Sequence, residues 1–172
     1  MQLDAGDTGY LARHPRRPKA ADYSRALFPD FMELHGDRCY GDDAACQGGI
    51  ATFHGRSVTV LTQSKGKTLE ENMQRNFGVL QPEGYRKAIR LARQAEKFHR
   101  PIITLVDTAG AYPGKGAEER GQAEAIAQCL AVFSEIRTPV LAIVLSEGGI
   151  GGALAFSVAD HIMMLEHAIY SI

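Results

Sequence analysis

Two glycine-rich runs hold the residues whose types and spacing could do chemistry. One is Asp107-Thr108-Ala109-Gly110-Ala111-Tyr112-Pro113-Gly114-Lys115-Gly116, the other Ser146-Glu147-Gly148-Gly149-Ile150-Gly151-Gly152. Gly151 and Gly152 fall where a helix should begin. Glycines there bare backbone N–H groups at the positive end of the helix dipole. An oxygen atom can then approach to hydrogen-bonding distance, which suits an oxyanion hole for a developing enolate. The same glycines would also permit tight packing of helix on strand, and spacing alone does not choose between the two.

The charged residues nearby carry weaker signals. Glu147 could act as a general acid, but a capping or loop-anchoring carboxylate is the favoured reading, and Asp107 at a strand end has the same ambiguity. Glu118 and Glu119 sit in a helix's first turn, where carboxylates are favourable without any catalytic role. Arg86, Arg90, Arg93 and Lys97 recur at helical spacing and form a cationic stripe. It reads as a solvated helix face, with contact to phosphates or an acidic partner as the alternative. His35, His54, His99, His161 and His167 show no ligand spacing. Cys39, Cys46 and Cys129 form no CxxC, so no metal site and no disulfide framework is expected. The Gly110–Gly116 run has the wrong spacing for a Walker loop. Leu154 stands where a dinucleotide fingerprint needs its third glycine, and no GxSxG elbow occurs.

The elements that must position these runs are legible from patterning. Wholly apolar strands are expected at 101–106 and 140–145, joined by a long helix over 117–136 with Ala123, Ile126, Ala127 and Leu130 inward. Such a crossover is right-handed and its strands parallel, so both glycine runs open on one sheet edge, where α/β proteins gather ligands. A helix from about Gly151 to Ala159 and a strand over 162–165 follow. Upstream, runs 49–53 and 57–62 joined at His54-Gly55 read as an antiparallel hairpin. Residues 63–83 look polar and irregular, with a short helix at 68–76. Tyr85, Ala88, Ile89, Ala92 and Ala95 make one apolar helical face. A helix is expected over 22–35, capped by Asp22 and bent or shortened by Pro29, and residues 1–21 read as a flexible lead-in. Continuous apolar strands between helices imply an α/β fold with a mainly parallel sheet covered on both faces.

Composition bounds the class. The chain has 172 residues, 45% hydrophobic and 23% charged, with a formal charge of −1, so it is not globally built to bind nucleic acid. No run approaches the ~20 apolar residues of a membrane span. The N-terminal residues lack an apolar signal core, so a cytoplasmic protein is expected.

Arg38 within HGDRCYGDD, RNFG (75–78), PEGYRKA (82–88), DTAGAYPGKGAEERGQ (107–122), EGGIGGALAF (147–156) and MLEHAIYSI (164–172) together resemble the alpha subunit of bacterial acetyl-CoA carboxylase carboxyltransferase. The resemblance covers about residues 10–172, with the motifs in the family's order. It implies a crotonase-like (ClpP/crotonase) fold, a spiral of ββα units, with residues 22–172 as the carboxyltransferase domain. It also implies transfer of a carboxyl group from carboxybiotin, borne in trans on the biotin carboxyl carrier protein, to acetyl-CoA. The product would be malonyl-CoA, the first committed step of fatty acid synthesis. The implied partners are a zinc-ribbon beta carboxyltransferase subunit, the carrier protein and biotin carboxylase, in an alpha2beta2 hetero-oligomer without a membrane. On this resemblance Gly151 and Gly152 form the oxyanion hole for the biotin ureido oxygen, and Gly110 supplies a facing wall or second donor. Gly148, Gly149, Ala111, Tyr112 and Gly114 would line the substrate side, and Gly152→Val would stop turnover in a chain that still folds. Lys65 and residues 75–78 match family positions without a derived role. Where the family reads DTPGAYPG this chain has Ala109, and the family continues past Ile172, so the domain is expected to be C-terminally incomplete relative to it. Rival readings are a carboxyltransferase or hydratase for another acyl-CoA, and a non-catalytic assembly or RNA-binding subunit using Arg13, Arg16, Arg17 and Lys19.

Overall fold

The computed structural model describes residues 2–171. Among them, seven strands form one mixed sheet. In chain order these are β1 (Met32–Glu33), β2 (Cys46–Phe53), β3 (Arg56–Gln63), β4 (Ile102–Thr108), β5 (Val140–Gly149), β6 (His161–Met164) and β7 (Ile169–Ser171). The spatial order is β1-β2-β3-β4-β5-β6, with β7 also on β5. β2 and β3 are the expected hairpin, turning at His54-Gly55 with both residues at positive φ. From β3 onward every pairing is parallel. The carboxyl ends of β3, β4 and β5 therefore share one edge.

Helices cover both faces. α4 (Pro82–Lys97), α6 (Gln122–Glu135) and α7 (Ile150–Ser157) close one core around Tyr85, Leu91, Phe133 and Phe156. The opposite face buries Val60, Ile103, Leu105 and Leu145 beneath Ala20 and Phe28. Neighbouring residues such as Val60 and Leu61, or Ile102 and Ile103, enter different cores. That is why these strands read as unbroken apolar runs.

Three local expectations are corrected. The segment expected to be a flexible lead-in holds a helix: α1 (Ala5–Arg13) forms, with Asp4 and Asp7 making a reciprocal capping box. The helix expected over 22–35 is α2 (Ala20–Leu27). Pro29 follows its end and the chain then enters β1, while Asp22 sits inside the first turn and accepts from the Lys19 amide at 2.8 Å. The long helix over 117–136 is divided into α5 (Lys115–Glu119) and α6 by Arg120-Gly121, with Gly121 at φ 84°. α6 buries Gln122, Ala125, Cys129, Val132 and Phe133; of the expected inward set Ile126 packs half-buried against the same core and Leu130 is half-buried, while Ala123 and Ala127 are exposed. Both sets obey helical spacing. Phe133, the bulkiest member, decides by packing edge-on to Phe156.

The cationic stripe of α4 divides: Arg86 and Arg90 form a clamp, while Arg93 and Lys97 lie on the exposed face as expected. Arg86 binds Asp37 at 2.8 Å and Glu83 at 3.1 Å, and Arg90 donates to the carbonyls of His35 and Gly36. Arg93 pairs with Glu135, and Lys97 lies over the Phe98 ring. The clamp makes a pH prediction. Burial works against the Asp37 carboxylate, but Arg86 and three backbone amides outweigh it and lower its pKa to about 2. A depressed carboxyl contributes stability that is present above its unfolded pKa and is lost as pH falls through the folded value. Thermal melts should hold steady above the ordinary carboxylate range and fall progressively towards pH 2. Asp37→Asn should flatten that decline, and an unchanged pH profile would remove Asp37 from the account.

Candidate active site at the carboxyl edge of the sheet

β4 and β5 deliver the two glycine runs to one edge, and their backbones touch. A Cβ on Gly152 would lie 2.5 Å from the Gly110 carbonyl carbon and 2.9 Å from the Ala111 nitrogen. A Cβ on Gly149 would lie 2.1 Å from the Ala109 oxygen, and one on Gly148 2.5 Å from the Tyr170 ring. These three glycines are required by packing, because real Cβ contacts do not come so close. The expectation that Gly152→Val still folds is therefore revised. Its side chain must displace the Gly110 turn.

Gly151 differs. A Cβ there meets only Ile126 Cγ2, at an ordinary 3.8 Å. Nothing in the packing demands glycine at 151. β5 runs straight into α7 through Ile150, which takes a positive φ of 45° and is 65% exposed. That backbone region is costly for a β-branched residue. The cap position is Gly149, so no side chain caps α7. The first-turn amides of Ile150, Gly151 and Gly152 lack partners within the helix. Gln63, at the end of β3, donates to the Gly152 carbonyl at 2.7 Å and steadies the turn from beneath.

The facing run is held just as firmly. Gly110 has a φ of 156°, its amide donates to Thr108 Oγ1 at 3.2 Å, and its carbonyl accepts from the same hydroxyl at 2.8 Å. The Gly110 amide is thus turned to Thr108 rather than free as a second donor. Tyr112 is fixed to Leu80 through its amide and to Gln122 through its carbonyl, and Ala111 bridges to Leu80. The Tyr112 ring folds over Gly114, where a Cβ would lie 2.3 Å from it.

Beside these turns stands a charge network that the sequence did not reveal. Lys65 follows β3, Asp107 is the penultimate residue of β4 and Glu147 lies two residues before the end of β5. The Lys65 Nζ is 3.1 Å from Asp107 Oδ1 and 2.9 Å from Glu147 Oε2, and Arg13 reaches Glu147 Oε1 at 2.7 Å. Asp107 is fully buried, and its contact with Lys65 is a charge contact: neither carboxylate oxygen receives a hydrogen bond. Burial raises the Asp107 pKa against the pull of Lys65. Burial disfavours the Lys65 ammonium, but Asp107 and Glu147 outweigh it and raise its pKa. Burial also opposes the Glu147 carboxylate, and the hydrogen bonds from Arg13 and Lys65 overcome that and lower it. Lys65 is a fixed cation and Glu147 a fixed anion at neutral pH.

The network gives roles to segments that had none. The turn 75–78 wraps Lys65: a Cβ on Gly78 would strike the Lys65 stem at 2.8 Å and the Asp107 carbonyl at 2.9 Å. Arg17 donates to Leu145 O at 2.8 Å, Ser146 Oγ at 3.0 Å and Glu166 O at 2.9 Å. With Arg13, it docks the N-terminal segment onto β5. Among the described residues no group of three His, Cys, Asp or Glu side chains is arranged to hold a metal ion, and no helix is long and apolar enough to cross a membrane.

Known proteins of one family are similar to this chain. A family model described as acetyl co-enzyme A carboxylase carboxyltransferase-like matches residues 1–172. The acetyl-coenzyme A carboxylase carboxyl transferase subunit alpha of Listeria monocytogenes serotype 4b is 57% identical over 170 residues, 99% of this chain and 54% of the relative. That of Thioalkalivibrio sulfidiphilus is 56% identical over 171 residues, again 99% and 54%. The chain thus spans about half the length of the curated relatives it matches. Among solved structures, transcarboxylase 12S superposes with a TM-score of 0.78 at 22% identity, covering 94% of this chain and 30% of that one. The beta subunit of P. aeruginosa geranyl-CoA carboxylase superposes at 0.75 and 15% identity, covering 99% and 31%. These two similarities show the shared crotonase-like fold.

Proposed function

The chain belongs to the acetyl-CoA carboxylase carboxyltransferase-like family, and on that premise we propose that it supplies the alpha-type half of a carboxyltransferase site. The reaction is carboxyl transfer from carboxybiotin, carried in trans on a biotin carboxyl carrier protein, to acetyl-CoA. A zinc-ribbon beta subunit completes the site in an alpha2beta2 assembly, biotin carboxylase recharges the carrier, and the complex works in the cytoplasm.

The observation that carries the reading is the uncapped start of α7 beside a glycine that packing does not require. The amides of Ile150 and Gly151 are the donors, and the bare Cα of Gly151 is the approach. Carboxybiotin, when docked, supplies the carboxyl group. The chain's residues bind and orient: the first-turn amides hold negative charge on a substrate oxygen, and the Gly110 turn fixes where that oxygen sits. Lys65 adds a buried positive charge nearby. Donors already in place cost no reorganisation when charge develops, and each contributes about 10²–10³ in rate.

Two observations count against the rivals. A hydratase needs two carboxylates free to address one water, and Glu147 is tied to Arg13 and Lys65. Half of the basic N-terminal cluster is spent on docking, with Arg13 on Glu147 and Arg17 on main-chain carbonyls. Co-expression with a beta-type subunit, followed by addition of the carboxylated carrier, tests the proposal. Malonyl-CoA formation that depends on this chain is the expected outcome. Assembly with the beta subunit but no malonyl-CoA, together with hydration of an enoyl-CoA, would transfer the assignment to the hydratase class.

A further inference from the structure

Two adjoining cavities, of about 350 and 310 Å³, share Lys19, Lys65 and Lys67 in their walls. Arg13 lines the first, and Arg25 and Arg75 the second. Against these six cations the walls present two carboxylates, Glu147 and Glu71. Most of the cations are partnered. Lys65 meets Asp107 and Glu147, Arg13 meets Glu147, and Lys67 and Arg25 both meet Asp22.

Among the described residues Lys19 and Arg75 have no carboxylate partner, and of the two Lys19 is the buried one. It is only 7% exposed, and among the described residues no carboxylate forms an ion pair with its ammonium. Burial lowers its pKa, as do the like charges of Lys65 and Arg17, while Asp107 and Asp22 act against them without forming an ion pair with it. A buried charge without a counter-charge is costly, and proteins keep one where a ligand supplies the missing partner. The backbone on both sides of Lys19 is fixed, by α2 after it and by Arg17 docked on β5 before it. The ammonium is therefore held in the wall rather than free to swing into solvent.

The geometry points to an oxyanion-binding site in the joined cavity, with Lys19 as the principal contact and Lys65, Lys67 and Arg75 around it. It lies along the same sheet edge, with Ala109 and Glu147 in its wall, and it rests on the cavity and its charges rather than on the carboxyl-transfer reading. A carboxylate or a phosphate would both satisfy it. Within the proposed reaction, the malonyl group is a source of the first and the CoA moiety of the second.

Calorimetric titration of the 172-residue chain with malonate and, separately, with inorganic pyrophosphate tests this. Saturable binding of at least one is expected, weakening as salt is added. Tighter binding of malonate names a carboxylate source, and tighter pyrophosphate binding names a phosphate source. Lys19→Met should weaken the preferred anion by tenfold or more, with a melting temperature equal to or above the parent's because an uncompensated charge is gone. Lys19→Arg should retain binding, and Lys97→Met, on the far end of α4, should match the parent. Should Lys19→Met fail to fold, Arg75→Met gives the same reading from the second cavity. Absence of binding by both anions, or parental affinity in the Lys19→Met and Arg75→Met chains, overturns the assignment. Because the titration needs no partner subunit or carrier, its failure leaves the carboxyl-transfer reading untouched.

Discussion

Gly151→Val is expected to fold with close to parental stability while the reconstituted complex loses about 10²–10³ of its carboxyl-transfer rate. The stability half follows from space. The new Cβ meets Ile126 at 3.8 Å, an ordinary contact, and valine in a helix costs only about 0.5 kcal/mol more than alanine, less than glycine does. The rate half follows from position. Gly151 is the one glycine of the strand-to-helix turn whose missing side chain no neighbour needs, so its bareness serves something that arrives from outside. Branched methyl groups there stand over the first-turn amides. Gly152→Ala is the informative contrast, since its methyl lands 2.5 Å from the Gly110 carbonyl carbon and must move main chain. It should lower the melting temperature as well as turnover. Melting curves beside malonyl-CoA formation separate the two, and turnover of Gly151→Val within twofold of the parent would remove the amide site from the mechanism.

Lys65→Met is expected to be the most destabilising single change at the sheet edge. It leaves the fully buried Asp107 without its ion-pair partner, with the unpaired Lys19 as the remaining positive charge acting on it. Breaking a buried pair in this way costs about 3–5 kcal/mol, or roughly 6–20 °C in melting temperature for a chain of this size. The pH dependence has a definite sign. In the parent, Glu147 is depressed, so its contribution is present above the normal carboxylate range and fades as pH falls. Asp107 is already raised by burial, and losing Lys65 raises it further. A raised carboxyl regains stability as pH drops and it takes up a proton. The gap between parent and variant should therefore narrow on acidification. Asp107→Asn in the Lys65→Met background should recover part of the loss. A melting temperature for Lys65→Met within two degrees of the parent would show that the network contributes little.

How much of this could be read from the chain divides along a physical line. The hairpin, the two apolar strands and the helix over 82–97 are set by neighbouring residues, and their patterns survive folding intact. So does the shared edge, because a right-handed crossover leaves few alternatives. The helix at 5–13 was missed because what anchors it is remote: Arg13 and Arg17 find their partners on β5, well over a hundred residues away. Lys65 resisted assignment for the same reason, since its two carboxylates arrive on different strands. The buried face of α6 was misjudged because that helix is apolar on more than one side, and the Phe133–Phe156 contact that selects among them is tertiary. The glycines looked alike in sequence. Only distances separate Gly148, Gly149 and Gly152, held in place by packing, from Gly151.

The Lys65–Asp107–Glu147–Arg13 network also bears on the order in which the molecule can assemble. Its links join residues 82 and 134 positions apart, so loop-closure entropy must be spent before any of them forms. An early collapsed chain with β3 beside β4 but β5 still undocked holds Lys65 against Asp107 alone. Such a species lacks the cover of β5, is open at the edge and is prone to sticking to its neighbours. Refolding should therefore slow and aggregate more when Glu147 is replaced by alanine, even in conditions where the finished protein tolerates the change.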